Sequence, residues 1–288
     1  MPEDIIDRIE HQFPEMTSTQ QLIATSILLD PIQVAFSPVK VLAQKFGVSP
    51  ASIVRFAQQI TDGGGYPQLQ AEIQSHVRSA TNPVKRLEEN TATVSQDENL
   101  LTHVYETQIS NLQKTFNQNL VNSISSASEL ISQAEHIYTY GSRGCYATAY
   151  YLGHHLNRVF NNTDIIPDGD RLAEYMMRAT ERDTAIFVCL PRYSSRMLSV
   201  VKKLRSVGTK IISITGSPTS PFVAYSDISL FAFYHSGDFH NSQISAMLVA
   251  EMLVSQAISS NLSRALDNLS KIESVFLDLH QFYDTDDR

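Results

Sequence analysis

Two short stretches of the chain combine glycine, serine and arginine in a way that suits an anion. One is Gly141-Ser142-Arg143-Gly144-Cys145, and the other is Pro191-Arg192-Tyr193-Ser194-Ser195-Arg196. Arginine binds a phosphate or carboxylate through two parallel hydrogen bonds, and serine hydroxyls add neutral donors. The alternative is a pair of structural turns whose arginines face solvent or pair with Asp168, Asp170 or Glu174. We predict a ligand-binding site composed of Ser142, Arg143, Gly144, Cys145, Arg192, Tyr193, Ser194 and Ser195.

A third stretch, Lys40 to Phe56, has the residue types of a DNA-reading helix-turn-helix. Gly47 permits the left-handed backbone of a tight turn, and Ser49 is a good N-cap for a second helix. Residues 31–61 contain three basic residues and no acidic one. The first turns of such a second helix enter the major groove. We predict that DNA is contacted by Lys40, Lys45, Ser49, Ser52 and Arg55, the alternative being an ordinary helical hairpin with a basic solvated face.

The elements that would position this basic stretch are all helices. Apolar residues recur at helical spacing through residues 1–79, which predicts a helical DNA-binding domain. Ser49 as N-cap and Pro50 in the first turn predict a helix from Pro50 to Ile60. Residues 80–98 are polar and contain a proline, so we predict a linker there.

The elements that would position the two arginine loops are strands and helices in alternation. Alternation of this kind over residues 99–288 predicts a doubly wound parallel sheet, so the fold class is α/β with a separate all-α domain. Both loops follow predicted strands, and ligands of open parallel sheets bind at the carboxyl ends of strands. The predicted strands are Ile137–Tyr140, Asp164–Ile166, Ala185–Leu190, Lys210–Thr215 and Ile228–Phe233.

Composition excludes several other protein classes. The 288 residues are 42% hydrophobic and 18% charged, which excludes wholesale disorder. Two cysteines are too few for a disulfide scaffold or a four-thiolate zinc site. No apolar run is long enough to span a membrane, and the acidic N-terminus is unlike a signal peptide. We therefore expect a cytoplasmic protein with no membrane partner.

Charge is unevenly distributed along the chain. The net charge is -8, but residues 134–235 contain 11 basic and 8 acidic side chains. Only the contacting face of a protein needs positive potential to bind an anion or DNA. We expect no metal and no cofactor, since the adjacent His154 and His155 cannot both face one ion from one side of a helix. Cys145 and Cys189 are expected to be small buried side chains, with a thiol switch as the less favoured alternative.

The N-terminal motifs resemble a known family. The stretch resembles the N-terminal domain of RpiR/MurR-type bacterial transcription regulators, with matching order and close spacing. The residues that carry this resemblance are Met16-Thr17, Ile23-Ala24, Ile27-Leu28, Asp30-Pro31, Val34-Ala35-Phe36, Leu42-Ala43, Gly47-Val48-Ser49 and Ile53-Val54-Arg55-Phe56. After its recognition helix the family usually has Leu-Gly-Phe and then Gly-Tyr, whereas this chain has Ile60-Thr61-Asp62-Gly63-Gly64-Gly65-Tyr66.

The second half resembles the SIS (sugar isomerase) domain, which the same family uses to bind effectors. The resemblance covers about residues 134–260 and includes Ile212-Ser213-Ile214-Thr215 and Ser226-Asp227. The family's first loop commonly reads Gly-x-Gly-x-Ser, and here Arg143 stands for the second glycine and Cys145 for the serine. The family's serine-rich second loop is replaced by Leu-Pro-Arg-Tyr-Ser. The resemblance thus implies an anion site, a sugar phosphate being one candidate.

Three functions compete at this point. The favoured one is a transcription regulator that binds double-stranded operator DNA and a small anionic effector, as a homodimer or homotetramer, without enzymatic activity. The alternative is a sugar-phosphate isomerase with an extra helical domain, which would need a positioned base such as Glu174. A structural adaptor is the third, and it would leave both arginine loops unexplained.

Overall fold

The computed structural model describes residues 4–80, 82–93, 99–167, 169 and 171–281. The chain divides into two compact units. The first comprises Met1–Glu98, Thr219–Pro221 and Gly237–His240, and the second comprises Asn99–Pro218, Phe222–Ser236 and Asn241–Arg288. Within the described ranges no helix is long and apolar enough to cross a bilayer.

The first unit is helical throughout its described elements. These are α1 (Ile5–Gln12), α2 (Ser18–Leu29), α3 (Pro31–Phe36), α4 (Val39–Phe46), α5 (Pro50–Ile60), α6 (Gly65–Ala80) and α7 (Pro83–Thr93). Thr17 and Gln20 form a capping box at the start of α2, which satisfies two backbone donors there. One buried cluster of isoleucine, leucine, alanine and phenylalanine side chains joins α1 to α6. This core fixes the angle between α4 and α5.

The second unit contains five strands and seven α-helices among its described residues. In chain order these are α8 (Leu100–Thr115), α9 (Gln118–Gln133), β1 (Ile137–Gly141), α10 (Cys145–Phe160), β2 (Thr163–Ile165), α11 (Leu172–Arg178), β3 (Thr184–Cys189), α12 (Ser195–Ser206), β4 (Lys210–Thr215), β5 (Ile228–Phe231), α13 (Ile244–Ser260) and α14 (Leu262–Asp278).

The sheet is parallel throughout, with the strand order β2-β1-β3-β4-β5. One face is covered by α9, α10 and α13, and the other by α11 and α12. The prediction of a doubly wound parallel sheet is therefore confirmed, and β3 lies at its centre. The register pairs Gly141 of β1 with Val188 of β3, so these two neighbouring strands end side by side.

A close helix–strand approach positions the loop after β1. A Cβ on Gly153 would lie 2.3 Å from the Thr139 hydroxyl oxygen, so glycine is what lets α10 lie directly against β1. The start of α10 is thereby held over the end of its own strand.

Two helices lie where the sequence did not predict them. Asp30 is the C-cap of α2, and its carboxylate also accepts from the Gln33 N–H at 3.1 Å and starts α3. The stretch predicted as a linker contains α7, whose start is capped by Asn82 through the Val84 N–H at 2.9 Å. Residues 94–98 of that stretch lie outside the described residues. The domain boundaries at residues 79 and 98 stay a prediction.

Candidate functional site

The turn between α4 and α5 is built as the sequence predicted. Gly47 adopts a left-handed conformation with φ +67°, and the Val48 N–H donates to the Ala43 carbonyl at 3.0 Å. Val48 is partly buried and packs against the hydrophobic core of the first unit. A residue with a side chain would be strained at position 47, so glycine sets the direction in which α5 leaves the turn.

Ser49 and Ser52 hold the start of α5. The Ser49 hydroxyl accepts from the Ser52 N–H at 3.1 Å, and the two hydroxyl oxygens lie 2.9 Å apart. The hydroxyls predicted to contact DNA therefore also cap the helix whose first turns would enter the groove. The capped end leaves α5 rigid where it would meet DNA.

The outer face of α5 carries a positively charged side chain, that of Arg55. Ile53, Phe56, Ala57 and Ile60 are buried, whereas Arg55 is exposed. Lys40 and Lys45 on α4 are also exposed. Among the described residues, no ion pair involves any of these three cations. The face offers unpaired positive charge beside a capped helix start, which suits a phosphate backbone.

In the second unit, the two arginine loops meet. Loop 1 (Ser142–Cys145) follows β1 and loop 2 (Pro191–Ser195) follows β3. The guanidinium of Arg143 donates to the backbone carbonyl of Arg192. Each loop leads into a helix, α10 or α12, so the positive ends of two helix dipoles lie at the same edge of the sheet.

Both loop arginines have a glycine-like backbone. Arg143 has φ +54° and Arg192 has φ +64°, which is the left-handed region. This conformation costs a residue with a side chain roughly 1–2 kcal/mol. The two loops therefore retain a glycine-type backbone while presenting two guanidinium groups.

The arginines are exposed and carry no ion pair with a described residue. Glu174, one of the carboxylates that could have neutralised them, pairs instead with Arg171 at 3.3 Å. Asp168 and Asp170, the other two, lie outside the described residues. Arg143 is occupied by the Arg192 carbonyl, so Arg192 presents the less restrained guanidinium.

The remaining predicted residues have different roles. Ser194 caps α12 by accepting from the Met197 N–H at 3.3 Å, and Ser195 is exposed. Tyr193 is half-buried, with its ring 5.9 Å from that of Phe222. Ser142 is only 8% exposed. The hydroxyl-bearing residues thus shape the loops at least as much as they offer donors to a ligand.

The two cysteines are poor nucleophiles. Burial raises the pKa of the Cys145 thiol above its ordinary 9.0, although the Leu190 backbone and the Gln243 side chain stabilise the thiolate. Cys189 is fully buried, and burial raises its pKa well above 9.0. Both thiols are protonated at neutral pH, which suits small packing side chains rather than reactive sensors. Within the described ranges, no three His, Cys, Asp or Glu side chains cluster as a metal site requires.

Sequence reasoning missed two amides that hold the loops. Asn241 donates to the Pro191 carbonyl at 2.9 Å, and Gln243 donates to the Cys145 sulfur at 3.7 Å. The Gln243 carbonyl oxygen in turn accepts from the Thr148 hydroxyl at 3.2 Å. Both amides lie just before α13, where polar residues are common helix caps. Their partners are in loop 2 and α10, far away in the sequence, so no local signal marks them.

Comparison with known proteins gives matches for both units. Residues 3–80 match the family described as "Helix-turn-helix domain, rpiR family", and residues 130–260 match the SIS domain. An uncharacterised HTH-type transcriptional regulator of Thermotoga maritima is 22% identical over 273 residues, which cover 93% of this chain and 96% of that protein. A second such regulator, from Clostridium perfringens, is 19% identical over 284 residues, with 95% and 99% coverage.

Two solved structures are similar as well. The sugar isomerase domain of an RpiR transcription factor from Sphaerobacter thermophilus has 26% identity and a TM-score of 0.58, covering 62% of this chain and 99% of that chain. Vibrio vulnificus NanR complexed with ManNAc-6P has 19% identity and a TM-score of 0.64, covering 96% of this chain and 98% of that chain. The latter likeness shows a shared fold across both units.

Proposed function

Since this chain belongs to the RpiR-type transcription regulators, with an rpiR-family helix-turn-helix domain and a SIS domain, we propose that it binds operator DNA through α5 and senses a sugar phosphate through loops 1 and 2. The observation that carries the effector assignment is the meeting of the two loops, where Arg143 reaches the Arg192 carbonyl. The NanR structure holds ManNAc-6P in a protein of the same fold, which supports this ligand class.

A phosphate fits the physics of these loops. Two guanidinium groups and two helix N-termini favour negative charge at one place. The arginine side chains fill space that glycine would leave open, so the site selects a smaller ligand or a single orientation of it. Arg192 is the direct charge partner in this proposal, together with the backbone N–H groups of loop 2.

Enzymatic activity is not part of this proposal. An isomerase needs a carboxylate base held against its substrate. Glu174, the residue suggested for that role, is 63% exposed at its side chain and is paired with Arg171. A carboxylate that is solvated and already paired with an arginine is unlike a working base.

The proposed assembly is a homodimer or homotetramer, because a two-fold protein matches a palindromic operator. The apolar residues of α10 and α13 make these two helices the first candidates for the contact surface. In the structure α13 packs its apolar residues, such as Val249 and Leu253, into the core of its own unit. Exposed apolar side chains lie instead on α14, at Leu262 and Leu266, and on α10, at Tyr146 and Tyr150. We therefore assign the contact to these residues.

Effector binding is tested by calorimetry with ManNAc-6P, glucose 6-phosphate and inorganic phosphate. We expect at least one sugar phosphate to bind wild type and to lose about tenfold or more in affinity in Arg192→Ala, since a charge-assisted hydrogen bond contributes about 1.5–3 kcal/mol. Arg182→Ala is the matched control, because Arg182 is exposed and pairs with Glu135 on the surface. Equal affinity in wild type and Arg192→Ala would exclude this site.

DNA binding is tested by gel shift with the DNA flanking the gene, at several salt concentrations. Arg55→Ala is expected to weaken operator binding by about 1–3 kcal/mol if it contacts a base. Lys45→Ala is expected to weaken binding uniformly and to reduce the salt slope by about 1. Arg182→Ala again serves as control. Wild-type binding by both variants at every salt concentration would show that α5 is not the reading helix.

A further inference from the structure

The inner face of α8 is polar, which is unusual for a helix that packs against a domain. Asn111 is 3% exposed and Thr115 is 1% exposed, and Gln108 lies one turn before them on the same face. Some apolar residues of this helix point outward, with Leu101 at 76% exposure and Tyr105 at 66%. Burying polar side chains costs free energy unless each finds a hydrogen-bond partner. The polar stripe formed by Gln108, Asn111 and Thr115 must therefore be stabilised by hydrogen-bond partners.

All three partners lie in the connection between β5 and α13, residues 232–243. The Asn111 amide donates to the His235 carbonyl at 2.6 Å, and the Ser242 hydroxyl donates to the Gln108 carbonyl oxygen at 2.6 Å. The Phe233 N–H donates to the Thr115 hydroxyl at 2.9 Å. Helix α8 is thus attached to this β5–α13 segment by specific, directional bonds along its length.

The same segment holds both effector loops. Asn241 binds the Pro191 carbonyl of loop 2, and Gln243 binds the Cys145 sulfur of loop 1. Ser242, which binds α8, lies between these two amides in the chain. Asn241 and Gln243 therefore flank the Ser242 contact with α8, and a shift of either loop would displace this contact as well. Hydrogen bonds break or re-form rather than stretch, so such a connection favours two discrete arrangements.

Helix α8 is also the first helix of the second unit, beginning at Leu100. The chain that carries the helix-turn-helix unit enters the second unit through it. We propose that the β5–α13 segment couples the effector loops to α8, with Gln108 and Asn111 at one end and Asn241 and Gln243 at the other as positioning residues. The regulatory meaning of this coupling rests on the proposed function, whereas the coupling itself is a property of the ligand-free protein.

The test is hydrogen–deuterium exchange on the full chain without any ligand. Gln108→Ala removes the acceptor on α8. The readout is amide exchange in loops 1 and 2 and the first residues after them, which are residues 142–146 and 192–197. We expect those amides to exchange about two- to tenfold faster, the equivalent of the roughly 0.5–1.5 kcal/mol that one such bond contributes. Gln113→Ala, an exposed glutamine on the same helix, is the matched control and leaves the loops unchanged.

Two further variants separate coupling from local damage. Gln108→Glu keeps an acceptor oxygen for Ser242, so the loops are expected to exchange at nearly the wild-type rate. Asn241→Ala breaks the far end, and because coupling is reciprocal it is expected to speed exchange in residues 108–115 of α8. Asn122→Ala, on the exposed face of α9, is its control.

A purely structural role for these bonds predicts changes confined to the mutated element. Faster exchange around α8 alone in Gln108→Ala, or around loop 2 alone in Asn241→Ala, would overturn the proposal. Should Gln108→Ala fail to fold by circular dichroism, Gln108→Glu and Asn241→Ala still decide the matter. The proposed function is tested separately, by calorimetry and gel shift, so the two can fail independently.

Discussion

Because Arg192 has a left-handed backbone, replacing it by glycine should change protein stability and ligand affinity in opposite directions. At φ +64° a side chain costs roughly 1–2 kcal/mol, which glycine does not incur. Glycine loses roughly 0.5–1 kcal/mol more backbone entropy on folding. Arg192→Gly is therefore expected to raise the free energy of unfolding by about 0.5–1 kcal/mol relative to Arg192→Ala. In a unit of this size that raises the melting temperature by about 1–4 °C.

Ligand binding is expected to change in the other direction. Both Arg192→Gly and Arg192→Ala remove the same guanidinium, so both should lose about tenfold or more in affinity for whichever sugar phosphate binds wild type. Urea denaturation and calorimetry on the same preparations measure the two effects. Arg192→Gly should thus be more stable than Arg192→Ala, while both variants bind the ligand about tenfold or more weakly than wild type.

A control pair on a helix should reverse the stability order. Lys203 is exposed in the last turn of α12, and at a helical position glycine is up to roughly 1 kcal/mol less stable than alanine, so Lys203→Gly should be less stable than Lys203→Ala. Arg143→Gly should be nearly neutral, because it relieves φ +54° but loses the bond to the Arg192 carbonyl. If glycine and alanine at position 192 gave equal free energies of unfolding, the reasoning from the left-handed backbone would be refuted.

Three other outcomes follow from burial, charge and exposure. Burial raises the pKa of Tyr66 to about 12, so first-unit stability should fall as pH rises from 10 towards 12, and Tyr66→Phe should lack this fall in urea titrations. For Asp227, burial opposes the change, but the Ile211 N–H and Arg205 outweigh it and lower the pKa below 3.8. Asp227→Asn should therefore cost about 1 kcal/mol at pH 7, and the gap to wild type should close as pH falls below 3.8. Replacing Leu262 and Leu266 together by aspartate should give monomers in light scattering at micromolar concentration, and an unchanged mass would place the contact elsewhere.

Local sequence signals were sufficient to predict a helix or strand wherever the capping residue, the spacing of apolar residues and the residue that ends the element all agreed. Helix α5 begins and ends at the predicted residues because Ser49, Pro50 and the buried stripe through Ile60 all indicate one helix. Strand β4 was equally clear, since its residues Ile211–Thr215 form a short, mostly apolar run that is buried on both faces. In such segments sequence and tertiary packing favour the same structure.

Prediction was incomplete where composition and capping disagreed. Helix α7 lies in a polar stretch, and its polarity predicts a linker, whereas Asn82-Pro83 starts a helix. The positions of both arginine loops were predicted, but the roles of their side chains were not. The bond from Arg143 to the Arg192 carbonyl joins residues 49 apart in the chain, and only the register of β1 with β3 brings them together.

The polar stripe on α8 has a consequence for protein engineering. A biosensor is made by grafting a foreign DNA-reading domain onto an effector-binding domain, and the outcome depends on the junction. A graft that is joined ahead of Leu100 keeps the hydrogen bonds between the β5–α13 segment and Gln108, Asn111 and Thr115. A hybrid joined after Thr115 would lose all three bonds, and with them the element through which it could report its ligand.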